Sequence, residues 1–451
     1  MRDLFLGPLL LAILIQTIRT PSAGVLGWTW LTLMAPQKLI WGFLSSMPLN
    51  LILAIVTLAT VVTTRDKRKL PINTVTIIWL LFIGVITMTT VFALSPKISW
   101  EIWDRAIKIM VLGFLIPVLM MTQRRIHAMI WMAAICLGYF GVKGGLFTLI
   151  TGSGSHVLGP PSTQIADNNN LALALVMSLP LMNYLRLRTG SVLARTGLLF
   201  AMVTTTFGVM GTNSRGGFIG LGVMAAYLWW KSSRRFALLL GTLAVVVPAY
   251  LFMPASWYER MGTLKDVSAQ TTFQTRYDAW MVNLNIALAR PFTGGGFASS
   301  EDGNVYRVYS YGKSFYLDPK TGETGGHAAH SVYFQVLGDH GLLGFGVYFA
   351  LLFSTLFLLR RIRKKARTIP AMTWAADLVA MIQVSFLAFF VSGAALSMAY
   401  YDMVYIYIGI ALTLDQMLKD HKNNPAEAEA SATAVAQARS GRKWRAPAHA
   451  V

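Results

Sequence analysis

Residues 330–367 read HSVYFQVLGDHGLLGFGVYFALLFSTLFLLRRIRKKAR. From Ser331 to Leu359 the segment is almost continuously apolar, and at about 1.5 Å per residue such a helix outreaches the roughly 30 Å hydrocarbon core of a bilayer. It begins at a histidine and a serine and ends in a dense cluster of cations. That order defines a membrane crossing whose basic end stays in the cytoplasm, because short cytoplasmic loops carry the excess of Lys and Arg.

The same grammar repeats outward from this stretch. Basic clusters stand at TTRDKRK (63–69), QRRIH (123–127), RLRTGSVLAR (186–195) and KSSRR (231–235), alternating with loops poor in Lys and Arg. Between them apolar runs fall at about 48–64, 75–94, 105–122, 126–150, 170–187, 193–212, 215–230, 235–253, 371–394 and 396–418. With 331–359 and the first run, Leu4 to Ile18, this predicts an all-α polytopic membrane protein of about 12 transmembrane helices with both termini cytoplasmic. The composition agrees: 55% hydrophobic residues, 13% charged, and a mean hydropathy of +0.54. The first run lacks a small-residue cleavage site, so it reads as a span and not a signal peptide. The net charge of +20 is explained by topology and needs no nucleic-acid partner. Cys136, the single cysteine, excludes an intramolecular disulfide.

One segment resists the pattern. GVLGWTWLTLMAPQKLIWGF (24–43) is rich in Trp and broken by Pro36 and Lys38, which suits an interfacial or re-entrant segment, since a full crossing would upset the parity. One outer loop, from about Pro254 to Ala329, is long, and long loops in compact proteins are usually functional. Within it TRYDAWMVNLNIALA (275–289) has helical apolar spacing. The expected organisation is an N-terminal membrane domain over 1–190, a core over 191–418 holding the outer loop 254–330, and an Ala-rich disordered cytoplasmic tail over 419–451.

The chemistry must run on few groups. Nucleotide-binding, zinc-protease and paired-cysteine motifs are absent, so the sequence calls for no cofactor and no metal. Arg215 lies in TNSRGGFIGLG (212–222), at the membrane boundary among glycines; it is either a snorkelling anchor or a cation facing a polar site. Arg276, in RYDAW (276–280), reads alone as a surface partner of Asp278. Ser331 fits the N-cap of the following helix and leaves His330 just outside its positive end, where the neutral ring is favoured; such a histidine is either structural or a proton acceptor. Arg105, Lys108 and Lys143 add cations on the outer side, so they join Ser331 as candidate substrate-binding residues for an anionic group. Asp339 is too far along its helix to reach His330 and is given no catalytic role.

Taken together these motifs resemble the O-antigen ligase-like family of O-antigen ligases, O-antigen polymerases and protein O-oligosaccharyltransferases. HSVYFQVLGDHGLLGF is similar to its His-Asn/Ser motif followed by Gly-x-x-Gly, through His330, Ser331, Gly341 and Gly344, with Asp339 where many members have Glu. TNSRGG resembles its Ser-Arg-Gly turn, and RYDAW with ARPFTGGGF (289–297) resembles its Arg-x-x-x-Trp helix and the glycine stretch after it. The N-terminal part looks like the subgroup of O-glycosylation ligases associated with exosortase A systems. The resemblance implies a C-type glycosyltransferase of the bacterial inner membrane, its active site facing the periplasm. The implied partners are an undecaprenyl-diphosphate-linked glycan donor and a lipid, protein or polysaccharide acceptor. It makes Arg215 and Arg276 diphosphate-binding groups and His330 the residue that engages the acceptor hydroxyl. A polymerase using the same donor and a transporter of lipid-linked saccharide are the alternatives.

Overall fold

The computed structural model describes residues 2–151, 156–231, 267–311 and 325–423, with scattered helical positions between 235 and 247. Among the described residues the chain is helical, without a strand. The helices are α1 (Arg2–Arg19), α2 (Pro21–Leu33), α3 (Leu49–Thr63), α4 (Thr74–Val91), α5 (Pro96–Leu119), α6 (Gln123–Thr151), α7 (Asn168–Arg188), α8 (Val192–Gly211) and α9 (Arg215–Lys231). They continue with α10 (Val267–Ala289), the short α11 (Gly303–Tyr309), α12 (Val332–Ala366), α13 (Thr373–Gly393) and α14 (Asp402–Asn423). Among the described residues six helical segments are long and apolar enough to cross a membrane: α4, α6, α7, α8, α12 and Pro370–Gly393, which contains α13. Most of the apolar run at 235–253 and the tail beyond 423 lie outside the described residues, whereas 419–423, expected in the tail, belong to α14.

The basic loops meet on one face. Arg68 pairs with Asp420, Arg125 with Asp66 and Arg188 with Asp377, while Arg361 and Lys419 share the buried Asp415 at 3.1 and 2.8 Å. These pairs tie the loop after α3 to the start of α6 and the end of α14, the end of α7 to the start of α13, and α12 to α14. Exposed pairs of this kind each contribute little to stability, but they define the basic face.

The N-terminal helices correct one expectation. Proline at the first position of α2 restarts a helix directly after Arg19, and the break at Ala35 and Pro36 ends it, so 21–33 is a short buried helix, which fits the re-entrant alternative and not the interfacial one. A Cβ on Gly24 would meet Thr17 of α1 and Thr57 of α3, and one on Gly27 would meet Ile13 and Leu53. Both neighbours therefore run antiparallel to α2. Since α3 leads down to the basic face, the α1–α2 turn points there too, and the start of α1 lies on the face opposite the end of α14.

Close helix contacts rest on glycine. A Cβ on Gly145 of α6 would fall 1.8 Å from the carbonyl oxygen of Thr204 in α8, and Gly208 of α8 approaches the Gly141 carbonyl in the same way. Small residues one helical turn apart let two apolar helices touch through their backbones.

The stretch that opened the sequence analysis holds a surprise. α12 is interrupted at Gly341, whose φ of 67° and ψ of −169° lie outside helical values. The loop at 290–298 fills the interruption. Gly295 and Gly296 N–H donate to the carbonyls of Gly338 and Asp339, each at 2.9 Å, Leu343 N–H donates to the Pro291 carbonyl at 3.1 Å, and Ala298 N–H donates to Asp339 Oδ1 at 2.9 Å. Tyr400 donates to Asp339 Oδ2 at 2.9 Å and lies 2.8 Å from His340 Nε2, whose Nδ1 is 2.7 Å from Thr89 Oγ1. Helix interruptions survive at membrane depth only where their freed backbone groups find partners, and here the glycine loop supplies them.

Candidate functional site

On the face opposite the basic loops, three segments approach one another. The turn between α8 and α9 is closed by Thr212 Oγ1, which accepts from Ser214 N–H at 3.2 Å, and by Ser214 Oγ, which accepts from Gly217 N–H at 3.1 Å. The turn aims Arg215 outward at the start of α9, where it is exposed. The loop at 156–170 is fastened to this turn, since Asn168 Nδ2 donates to the Thr212 carbonyl at 2.8 Å and His156 Nδ1 lies 3.2 Å from the same oxygen. Its last residue before α7, Asp167, caps that helix by accepting from Asn169 and Asn170 N–H at 2.8 and 3.3 Å.

The third segment is the first half of α12 with α10 packed on it. Trp280 stacks on Phe334 with ring centroids 5.2 Å apart and planes 6° from parallel. Gly338 lies so close to Asn283 that a Cβ would overlap its side-chain oxygen. This pairing holds half-buried Arg276, one turn before Trp280, beside the start of α12. Ser331 occupies the N-cap position there but its side chain makes no cap bond; its carbonyl accepts from Gln335 N–H at 2.8 Å. Being 1% exposed, its hydroxyl is not presented to a substrate, which corrects the expectation that it binds one. His330, exposed just ahead of it, has a φ of +45°, a left-handed conformation uncommon for a residue with a side chain.

Electrostatics joins these groups. Burial and then the Arg215 guanidinium pull the Arg276 pKa below the ordinary arginine value, with Asp167 opposing. Partial desolvation and then Arg276 lower the His330 pKa below 6.5, with Asp167 opposing and His327 adding a little. No salt bridge among the described residues ties up Arg215 or Arg276, and Asp278, the partner expected for Arg276, instead accepts from Gln274 at 2.8 Å. Arg276 thus feels both Arg215 and Asp167, and His330 feels both Arg276 and Asp167.

The remaining candidate cations do not join this group. Arg105 and Lys108 line a separate cavity, and Lys108 pairs with Asp104. Lys143 is exposed on α6 along the stripe of exposed Ile135, Tyr139, Leu146 and Ile150, so helical spacing directs it away from the helix bundle. Sequence reasoning missed Asp167, although an Asp before a run of Asn at a helix start is a capping signal. It also missed Tyr400, whose part in holding Asp339 depends on contacts across the chain.

Residues 200–349 match the O-antigen ligase family, and residues 1–191 match a family of unknown function. No curated protein matches the chain. The first match covers about a third of the chain and supports a likeness of that part to O-antigen ligases, and with it a role of the glycosyltransferase type. It spans Arg215, Arg276 and His330 together.

Proposed function

We propose that the chain transfers a glycan from an undecaprenyl-diphosphate carrier to an acceptor hydroxyl on the periplasmic side of the bacterial inner membrane, with Arg215, Arg276 and His330 as its catalytic residues. The observation that carries this reading is the electrostatic link between two unpaired guanidiniums and a histidine held in a strained backbone conformation beside them. Strained residues cluster at active sites. The acceptor oxygen attacks the anomeric carbon as the bond to the diphosphate oxygen breaks, the electron pair leaves with the diphosphate, and the hydroxyl proton passes to the neutral His330 ring. Arg215 and Arg276 stabilise the charge growing on the leaving group, which is where positioned cations act most. One displacement inverts the anomeric carbon.

The broken helix speaks against transport. Interrupted helices in transporters leave backbone groups free for a substrate. In α12 those groups are already taken by Gly295 and Gly296. The N-terminal region, matching a family of unknown function, is compatible with the exosortase-associated O-glycosylation ligases. The test is a reconstituted reaction with labelled undecaprenyl-diphosphate glycan and an extract of exported proteins and envelope lipids. Label on a new acceptor with inverted linkage is expected. Carrier-bound ladders of growing length would instead identify a polymerase, and retained configuration would remove the single displacement.

A further inference from the structure

A cavity of about 200 Å³ opens between the N-terminal helices and the start of α14, bounded by the end of α2, the turn at 35–38, α5 and the loop at 162–165. Its wall holds the side-chain oxygens of Gln37, Asn50, Gln164, Tyr401 and Asp402, all buried and none with a hydrogen-bond partner. Gln37, Tyr401 and Asp402 are 8%, 1% and 4% exposed. Buried polar groups in folded proteins are almost always satisfied, so five orphaned oxygens around one space are complementary to an occupant that donates hydrogen bonds. Three of the five, the amide oxygens of Gln37, Asn50 and Gln164, are acceptors only, so a simple inorganic anion, itself an acceptor, is a poor complement. The same wall carries Lys38 and Arg105, which call for a negative group, Lys108, which is already paired with Asp104, and the indole of Trp28, which offers a flat apolar face.

A molecule with several hydroxyls, one acidic group and a C–H face is an acidic sugar. We propose that this cavity binds one acidic sugar residue of the glycan, and the assignment of its role rests on the transferase reading above. The placement suits it: Gln164 in the cavity wall and Asp167, whose charge acts on the His330 ring, are three residues apart, a separation of at most about 11 Å. A glycan whose reacting carbon lies at His330 can reach the cavity with a neighbouring residue. The N-terminal region, otherwise without chemistry, would then select the glycan.

The test is ligand-observed saturation-transfer NMR on the full chain in lipid nanodiscs, with glucuronate, glucose and inorganic phosphate as probes. Saturable glucuronate binding is expected, roughly tenfold tighter than glucose, the discrimination one charge-assisted contact provides. Phosphate at equal concentration should not displace it. Gln164→Leu and Asn50→Leu, each checked as monodisperse, should abolish binding of both sugars, Arg105→Gln should remove the preference for the acid, and His330→Ala should bind as wild type. Equal binding of the two sugars, displacement by phosphate, or no saturable binding to intact protein would overturn the proposal, as would unchanged binding by both leucine variants. Because the readout needs no transfer, an active His330→Ala enzyme would sink the catalytic reading while leaving this result standing.

Discussion

In the proposed transfer a single side chain carries most of the chemistry, and its environment fixes its behaviour with pH. His330 has its pKa lowered by partial desolvation and by Arg276, so the proton-accepting form persists below the usual histidine range. The acid limb of the transfer rate should therefore have its midpoint below 6.5. Asp167 works in the opposite direction, raising the His330 pKa, so Asp167→Asn should move that limb further down. A limb that stays fixed or moves up would detach Asp167 from His330. Arg215→Gln or Arg276→Gln should lower transfer by about 10²–10³-fold, the usual cost of removing one group that stabilises developing charge. Both arginines and the histidine were legible in the sequence because glycine turns and an apolar boundary mark them. Their mutual approach was not, since it depends on the Trp280–Phe334 stack and on the tether from Asn168 to Thr212.

Among elements, α12 is where the sequence was most misleading. HSVYFQVLGDHGLLGF reads as one continuous span, and nothing in its periodicity announces an interruption at Gly341. The cause lies 40-odd residues upstream in the glycine loop at 290–298, whose N–H groups replace the lost helical bonds. Gly341→Ala should be strongly destabilising, by more than about 1 kcal/mol, because φ is +67° and a Cβ would lie 2.5 Å from the Pro291 carbonyl oxygen. Asp339→Ala orphans the Ala298 N–H, at about 1–3 kcal/mol for a buried donor, and leaves the Tyr400 hydroxyl with His340 Nε2 as its remaining partner. Thermal unfolding in detergent measures both. Lost transfer by Asp339→Ala with an unchanged unfolding temperature would mean that this carboxylate acts on substrate and that its structural role is secondary.

For the whole molecule, the alternation of basic and K/R-poor loops made an all-helical membrane protein legible, and the ion-paired basic face follows that alternation residue by residue. The side of the first helix was not legible, because Pro36 and Lys38 in 24–43 disguise a helix that ends with one that never forms. Cys136 is buried, so introduced cysteines can be read by an impermeant maleimide against a silent background. In intact cells Ser46→Cys should label, while Thr20→Cys and Gly190→Cys should label only after permeabilisation. Labelling of Thr20→Cys from outside would restore the interfacial segment and a shared side for both ends. The central claim remains that this bundle moves a glycan by means of His330. The most direct measurement is transfer of labelled glycan from its undecaprenyl-diphosphate carrier in reconstituted vesicles, wild type beside His330→Ala. A fall of about 10²–10⁴-fold with an unchanged fold is the expected result. Equal transfer by the two proteins would contradict the account.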